Sequence, residues 1–159
     1  MTSRPQDSVT KREAWERFVE GDEAAFKQLF KTHYQSMYGY ALKLCGQPAL
    51  VKDCIQELFR NIWERRDELD HIESHNVYLF VSLRRKVIKR LKAKRKKERD
   101  SENAPQDEIQ FGKEDLIIRD EVKFQKKKEL QQALNQLSKR QKEVVYLHFY
   151  NGMSYGEIE

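Results

Sequence analysis

Residues 84–97 read RRKVIKRLKAKRKK, and ten of these fourteen side chains are basic. The run contains neither proline nor glycine, and its apolar residues Val87, Ile88 and Leu91 recur at helical spacing. A lone helix of this charge is costly in water, because its cations repel one another. It becomes favourable where one stripe packs on a core and the charges face a polyanion. The pattern therefore predicts an amphipathic helix that docks on other helices and presents a cationic face.

The positive charge of the chain is concentrated in this one segment. Residues 84–99 hold eleven basic side chains and one acid, a net +10, whereas the whole chain is only +5, so the rest sums to −5. Each Lys or Arg placed near a phosphate releases a condensed counterion. A basic segment in an otherwise acidic protein therefore indicates nucleic-acid binding.

Composition favours an all-α fold of one or two small domains. Hydrophobic residues make up 38% of the chain and charged residues 36%, and we find no run of alternating β-branched residues. No apolar stretch approaches the ~20 residues that span a bilayer. The first fifteen residues lack the apolar core of a signal peptide. We therefore expect a cytoplasmic protein.

Catalytic and metal sites find little support in the sequence. Cys45 and Cys54 have apolar neighbours, which favours two reduced core thiols over a redox or metal pair. His71 and His75 have the spacing of a helical metal pair, but they lie in a polar stretch that we expect to be irregular. The sequence contains no glycine-rich phosphate loop and no plausible nucleophile–base pair. We therefore expect no enzymatic activity and no metal or other cofactor.

Two longer helices are predicted ahead of the basic one. Gly21 and Asp22 are predicted to be a helix stop and an N-cap. Residues 23–45 then carry an apolar side chain at every third or fourth position, and Gly46 ends the pattern. This apolar stripe includes Phe26, Phe30 and Tyr34. Residues 48–66 form a helix with an apolar face and an opposite polar face made by Asp53, Gln56, Glu57, Arg60 and Glu64. Phe59 and Trp63 lie on the border between the two faces. Aromatic residues in this position either complete a core or anchor a partner protein.

The basic helix is predicted from residue 77 to about residue 97. Its apolar residues fall on either side of Arg84: Val77, Phe80, Val81, Val87, Ile88 and Leu91. Its cations fan across the remaining surface: Arg85, Lys86, Lys89, Arg90, Lys92, Lys94, Lys96 and Lys97. Arg84 would lie at the centre of the apolar stripe, so we expect it to pair with an acid or a backbone carbonyl of its own domain.

A second domain is predicted after an acidic linker. Residues 100–121 hold eight acids against two bases, which favours a solvated tether and leaves open an acidic strand that shields the basic helix. Helical spacing resumes at about residue 120, and Ser138 with Gln141, then Ser154 with Glu157, form capping-box patterns. The predicted domains are residues 9–97, the linker 98–119, and residues 120–159.

Two stretches of the chain resemble the extracytoplasmic-function (ECF) group of bacterial sigma factors, in the sigma-70 family. Residues 21–92 resemble sigma region 2, a four-helix domain, and the D-x-x-QE-x-F-x-x-x-W pattern at 53–63 is their most specific part. Residues 134–159, LNQLSKRQKEVVYLHFYNGMSYGEIE, resemble the start of region 4, a helix-turn-helix domain. The two resemblances occur in the family's order and flank the acidic linker.

The resemblance implies a function in transcription initiation. A protein of this group binds core RNA polymerase, recognises the minus-ten promoter element and helps to melt it. The resemblance assigns polymerase binding to Asp53, Gln56, Glu57, Phe59 and Trp63. It assigns binding of the minus-ten region, as single-stranded non-template DNA, to Tyr78, Arg85, Lys86, Lys89, Arg90, Lys92 and Lys94. An anti-sigma factor is implied as a further partner.

The sequence departs from the family pattern at two places. Arg85 stands where members of the family often carry Asn, so a cation that favours phosphate replaces an amide that reads a base. The region 4 recognition helix would follow Glu159, so we expect the sequence to be truncated before that helix. Two alternatives stay open: a polymerase-associated helical adaptor, and a nonspecific nucleic-acid-binding protein.

Overall fold

The computed structural model describes residues 5–99 and 124–158, with the side chains of residues 12–99 and 128–158. Helices and one short 3-10 turn account for the regular structure in these ranges, which contain no strand. The predicted all-α fold is therefore confirmed. No helix in the described ranges is long and apolar enough to cross a bilayer. The predicted linker lies outside the described residues from position 100 onward.

The chain divides into two units, Met1–Asp107 and Glu108–Glu159. In its described residues, the first contains four helices: α1 (Pro5–Val19), α2 (Glu23–Cys45), α3 (Pro48–Glu64) and α4 (His75–Arg99). Helix α2 packs against α1, α3 and α4, and α3 also packs against α4. The first unit is therefore a four-helix bundle in which α3 and α4 lie side by side.

The turn between α1 and α2 is set by Gly21 and Asp22, as the sequence predicted. Gly21 has a φ of +93°, a left-handed conformation that glycine adopts without strain. The Asp22 carboxylate accepts hydrogen bonds from the Ala24 and Ala25 amides at 2.8 and 3.1 Å. Arg17 Nε donates to the same carboxylate at 2.9 Å. The hydrogen bond from the Ala25 amide has the largest effect in lowering the pKa of Asp22, and the hydrogen bond from Arg17 has the next largest. Asp22 therefore caps α2 as an ionised group.

The turn between α2 and α3 also follows the expected pattern. Gly46 has a φ of +64° and donates its N–H to the Leu42 carbonyl at 2.7 Å, while Pro48 begins α3. Cys45 and Cys54 are buried free thiols near this turn. Burial raises the pKa of Cys54 to about 11, so this thiol is an unreactive part of the core.

Helix α4 docks through a stripe that differs from the predicted one. Its buried residues are Leu79, Phe80, Leu83, Val87 and Leu91, which recur mainly at intervals of four. The prediction for Val81 is wrong, because its side chain is 39% exposed. The stripe is centred on Leu83 and Val87 rather than on Arg84. Arg84 lies half-buried at the side of the stripe, where it interacts with a neighbouring group.

Trp15 of α1 contacts both the middle of the connector between α3 and α4 and the first residue of α4. A 3-10 turn, Arg66–Glu68, opens the connector, and Leu69 after it is buried. Trp15 Nε1 donates to the Leu69 carbonyl at 3.4 Å, and the Trp15 ring stacks on His75 with 5.5 Å between ring centroids. The start of α4 is thereby fixed against α1.

The second unit contains α5 (Phe124–Gln136), α6 (Lys139–Asn151) and α7 (Tyr155–Ile158). The predicted capping box of Ser138 and Gln141 is confirmed, with both of its hydrogen bonds present. The second box forms in part. The Glu157 carboxylate accepts from the Ser154 amide at 2.8 Å, whereas the Glu157 amide donates to the Ser154 carbonyl.

The cap on α2 can be tested by substitution. Asp22→Ala removes the acceptor for two helix-end amides, and we expect it to lower the free energy of unfolding. Asp22→Asn keeps a capping oxygen and loses only an exposed ion pair with Arg17, so it should cost less than half as much. Urea titrations followed by tryptophan fluorescence report on the first unit, because Trp15 and Trp63 both lie there. Equal losses in the two variants would contradict the capping role.

Candidate nucleic-acid and protein interfaces

One side of α4 carries cations that make no hydrogen bond or salt bridge with the residues that the structure describes. Arg85, Lys89, Lys92 and Lys96 follow one another at intervals of four, three and four residues, so they form a row along one side of the helix. All four are exposed. In the described part of the chain, none of their side chains makes a hydrogen bond or a salt bridge. We call these four residues the open row.

An aromatic and an aliphatic side chain extend the open row toward the start of α4. Val81 lies four residues before Arg85, and Tyr78 lies three residues before Val81, so both continue the same side of the helix. Tyr78 is half-buried and meets the edge of Trp15, with 6.2 Å between ring centroids. Val81 is 39% exposed. The same side of α4 therefore offers apolar surface at its first turns and positive charge along the remainder.

Three other cations of α4 are bound to α3 or to Gln47, the residue directly before it. Lys86, Arg90 and Lys94 lie four residues apart on the flank that faces α3, and we call them the tied row. Lys86 Nζ and Arg90 Nη2 donate to the Glu57 carboxylate at 3.0 and 2.7 Å. Lys94 Nζ donates to Gln47 Oε1 at 2.9 Å. The sequence placed the tied and open rows on one continuous cationic surface, whereas the structure separates them by what they contact.

Glu57 is the centre of the contact between α3 and α4. Each of its carboxylate oxygens accepts from a different cation, Oε1 from Lys86 and Oε2 from Arg90. These two hydrogen bonds lower the pKa of Glu57 from 4.5 to about 2, and the bond from Arg90 has the larger effect. Asn61, with its amide turned so that both groups are satisfied, also accepts from Lys86 Nζ at 2.9 Å. Glu57 therefore remains ionised at any physiological pH.

The remaining residues assigned to polymerase occupy different depths. Asp53 and Gln56 are exposed on the outer face of α3. Trp63 is half-buried and packs on Phe26, with 4.9 Å between ring centroids, while the guanidinium of Arg66 lies 4.8 Å from the Trp63 ring. Of the five assigned residues, Asp53 and Gln56 are therefore the best placed to meet a partner.

Phe59 lies in the core rather than at the border where the sequence placed it. Its side chain is only 3% exposed and packs against Phe30 and Phe26 of α2, with ring centroids 4.9 and 6.0 Å apart. A projection of α3 alone could not show that aromatic side chains from α2 cover this position. Phe59 therefore packs between α3 and α2, and its side chain is not exposed for contact with a partner protein.

An aromatic ladder on α2 was missed as a surface feature. Phe26, Phe30, Tyr34 and Tyr38 lie four residues apart, and all four are half-buried. The last three rings lie close together, with 5.1 Å between the centroids of Phe30 and Tyr34 and 6.0 Å between those of Tyr34 and Tyr38. The sequence assigned the first three to the core stripe of α2. The constant interval of four, together with the tyrosine hydroxyls, is the signal that could have indicated a ridge at the core edge.

Comparison with known protein families identifies both units. A family model for sigma-70 region 2 matches residues 29–97, and a model for sigma-70 region 4 matches residues 127–159. The ECF RNA polymerase sigma factor SigL of Mycobacterium tuberculosis is 25% identical over 144 residues in each of three strains, covering 85% of this chain and 75% of SigL. The region 2 match contains both rows of α4 and the outer face of α3.

A solved structure shares the fold. The sigma factor RpoE of Bartonella quintana, crystallised in complex with the anti-sigma factor NepR, superimposes with a TM-score of 0.57 at 20% sequence identity. The likeness covers 84% of this chain and 79% of RpoE. At this level of sequence identity the likeness supports the fold only and assigns no role to any residue.

The stability supplied by Glu57 should depend on pH. Because the fold holds its pKa at about 2, against 4.5 ordinarily, the unfolded chain takes up the proton first as pH falls. The stabilisation is therefore complete above about pH 5 and lost progressively between about pH 4.5 and pH 2. We expect wild type to exceed Glu57→Gln by about 1 kcal/mol at pH 7, and this difference to vanish near pH 2.

Urea titrations across this pH range, followed by tryptophan fluorescence, measure that difference directly. Glu64→Gln is a matched control, since it removes the same charge from an exposed position on α3. A difference between wild type and Glu57→Gln that stays constant from pH 7 to pH 2 would mean that the ion pairs contribute nothing to stability.

Proposed function

Because the chain belongs to the sigma-70 family, we propose that it acts as an ECF-type sigma factor that binds core RNA polymerase, recognises the minus-ten promoter element and helps to melt it. We further propose that region 2 spans residues 9–97, the acidic linker 98–119, and region 4 residues 120–159. Neither binding step requires the chain to catalyse a reaction of its own. Its place of action would be the cytoplasm, where the polymerase works.

The observation that carries the DNA-binding role is the open row. Four exposed cations, which have no bonding partner among residues 12–99 and 128–158, lie along one side of a helix that is anchored on its opposite side by a buried stripe. Such side chains can each approach a backbone phosphate and release a counterion without first breaking a bond in the protein. We therefore propose that the backbone of the non-template strand follows the open row.

Recognition of bases would begin at the head of this row. Phosphate contacts position a strand and carry no sequence information. A base that leaves the duplex costs a few kcal/mol of lost stacking, which an aromatic or apolar surface can partly replace. Tyr78 and Val81 provide a half-exposed ring and an exposed aliphatic group at the start of α4. We propose that an unstacked base of the minus-ten element packs there.

The outer face of α3 is the proposed polymerase contact. Asp53 and Gln56 supply exposed carboxylate and amide groups, and Trp63 supplies a half-exposed ring at the rim. Hydrogen-bonding groups with an aromatic rim are typical of a contact with another protein. The aromatic ladder of α2 lies on the side of α3 that holds Phe59, so it extends this face with further apolar surface.

A protein inhibitor is a further proposed partner. RpoE of Bartonella quintana was crystallised with an anti-sigma factor, and this chain shares its fold. We propose that a protein of the same class binds this chain and competes with polymerase for the outer face of α3. The variants described below at Asp53 and Gln56 would then weaken binding of both partners.

Substitution should separate the two faces. Lys89→Ala with Lys92→Ala removes two cations of the open row, so the salt dependence of single-strand binding by the polymerase complex should weaken by a slope of about 1.4. Binding to core polymerase should be unchanged. Asp53→Ala with Gln56→Ala should weaken polymerase binding by at least tenfold, because these groups would otherwise meet polar partners in a desolvated contact. Fluorescence anisotropy with a labelled promoter strand, and with labelled protein, measures the two affinities.

Controls and alternatives follow from the same assay. Lys27→Ala with Lys31→Ala removes the same charge from exposed positions of α2 and should leave the salt slope unchanged. Polymerase binding without preference for promoter over scrambled strand would favour the adaptor. Strand binding that needs no polymerase and shows no sequence preference would favour the nonspecific nucleic-acid-binding protein.

A further inference from the structure

We infer that Glu57 is a positioning residue that withholds Lys86 and Arg90 from nucleic acid in the free protein, and that polymerase binding at the outer face of α3 releases them. The inference rests on the proposed function. It adds a second role to the polymerase contact that the family resemblance assigned to Glu57, since the carboxylate holds two cations of α4 until the partner bonds to it. Its basis is the arrangement of one carboxylate between two helices, each of which serves a different partner.

The first step is the charge that α4 presents. Glu57 comes from the middle of α3, yet each of its oxygens is bonded to a cation of α4. The cluster of Glu57, Lys86 and Arg90 thus carries a net charge of +1 instead of +2. A phosphate that approached these two cations would also approach a carboxylate, and the two anions repel. In the free protein, nucleic acid therefore meets the open row at full charge and the tied row at reduced charge.

The second step is that the bonds of Glu57 can be exchanged. Arg90 retains 55% of its side-chain exposure while bonded to Glu57, and the Glu57 side chain is itself 29% exposed. A phosphate or a partner's cation can thus reach either group without moving a helix. Lys86 is more enclosed, with 21% of its side chain exposed, so its release requires a change of rotamer. The ion pairs are accessible links and not a sealed part of the core.

The third step is the position of Glu57 relative to polymerase. Gln56 precedes it directly, and Asp53 lies one turn earlier on the same exposed side of α3. A partner that contacts both residues comes within reach of the Glu57 carboxylate. A basic group of that partner would compete for the carboxylate with Arg90 and Lys86. Every bond gained by the partner there frees a cation for phosphate, so binding of the two partners is positively coupled.

The test uses the intact chain and a labelled single strand, without polymerase and then with it. Glu57→Gln keeps the shape of the side chain and removes its charge. Without polymerase, we expect this variant to bind the strand about tenfold more tightly near 0.1 M salt, with a salt slope steeper by about 1.4, because two cations become available. Glu64→Gln makes the same change of net charge on α3 and should alter the slope little.

A second pair of variants assigns the gain to the tied row. Lys86→Gln with Arg90→Gln should abolish the tighter binding caused by Glu57→Gln. In a chain that retains Glu57, the same two substitutions should cost little strand affinity without polymerase and about tenfold in its presence. Helical content by circular dichroism and the thermal midpoint show whether each variant is folded. Because only ratios between variants are compared, contacts that polymerase itself makes with the strand cancel.

Four results of these binding experiments would each contradict a specific part of the account. Unchanged strand binding by Glu57→Gln, with the fold intact, overturns the withholding role. An equal cost of the tied-row substitutions with and without polymerase overturns the release. Weaker polymerase binding by Glu57→Gln without any gain in strand binding also overturns the inference, because Glu57 would then be a polymerase contact only. Failure of the wild-type chain to bind polymerase at all would instead overturn the proposed function, so the two failures can be told apart.

Discussion

The burial of one apolar stripe on a helix of very high positive charge is the constraint on which the first unit depends. Helix α4 must hold many cations close together, and their repulsion opposes its formation. The fold offsets this cost by packing Leu83 and Val87 into the bundle and by giving Lys86 and Arg90 a carboxylate partner. The rotation of α4 that satisfies both conditions also determines which cations remain in solvent.

The split between tied and open rows follows from that rotation. Stripe residues of α4 and the tied row both face its neighbours in the bundle, so the open row lies on the side away from α3. A helix anchored in this way can hold a flexible strand along one line rather than over its whole circumference. If nucleic acid binds α4 as proposed, the number of phosphates within reach is set by packing and ion pairing, and not by the count of basic residues.

Much of this arrangement could be predicted from the sequence. The glycine stops at Gly21 and Gly46, the cap at Asp22 and the box at Ser138 are local signals, and all are present in the structure. The basic helix was predicted because its charge and apolar spacing need no tertiary information. The resemblance to ECF sigma factors could be seen as well, because the pattern at residues 53–63 lies in a single helix.

The predictions that failed concern contacts between helices. A projection of α4 alone gave Arg84 and Val81 too central a place, since the axis of burial depends on where α2 and α3 lie. Phe59 looked like a border residue until α2 supplied the rings that cover it. For the same reason, the sequence assigned Glu57 and Arg90 to separate surfaces, although they are bonded to each other.

Site-specific crosslinking in the assembled complex tests whether α3 contacts polymerase and α4 contacts the DNA strand. A photoreactive amino acid at position 56 and, separately, at position 89 would be irradiated in the presence of core polymerase and a labelled non-template strand. The arrangement described here predicts that position 56 crosslinks to a polymerase subunit and position 89 to the strand. Crosslinking of position 89 to polymerase alone, or of position 56 to the strand, would contradict it.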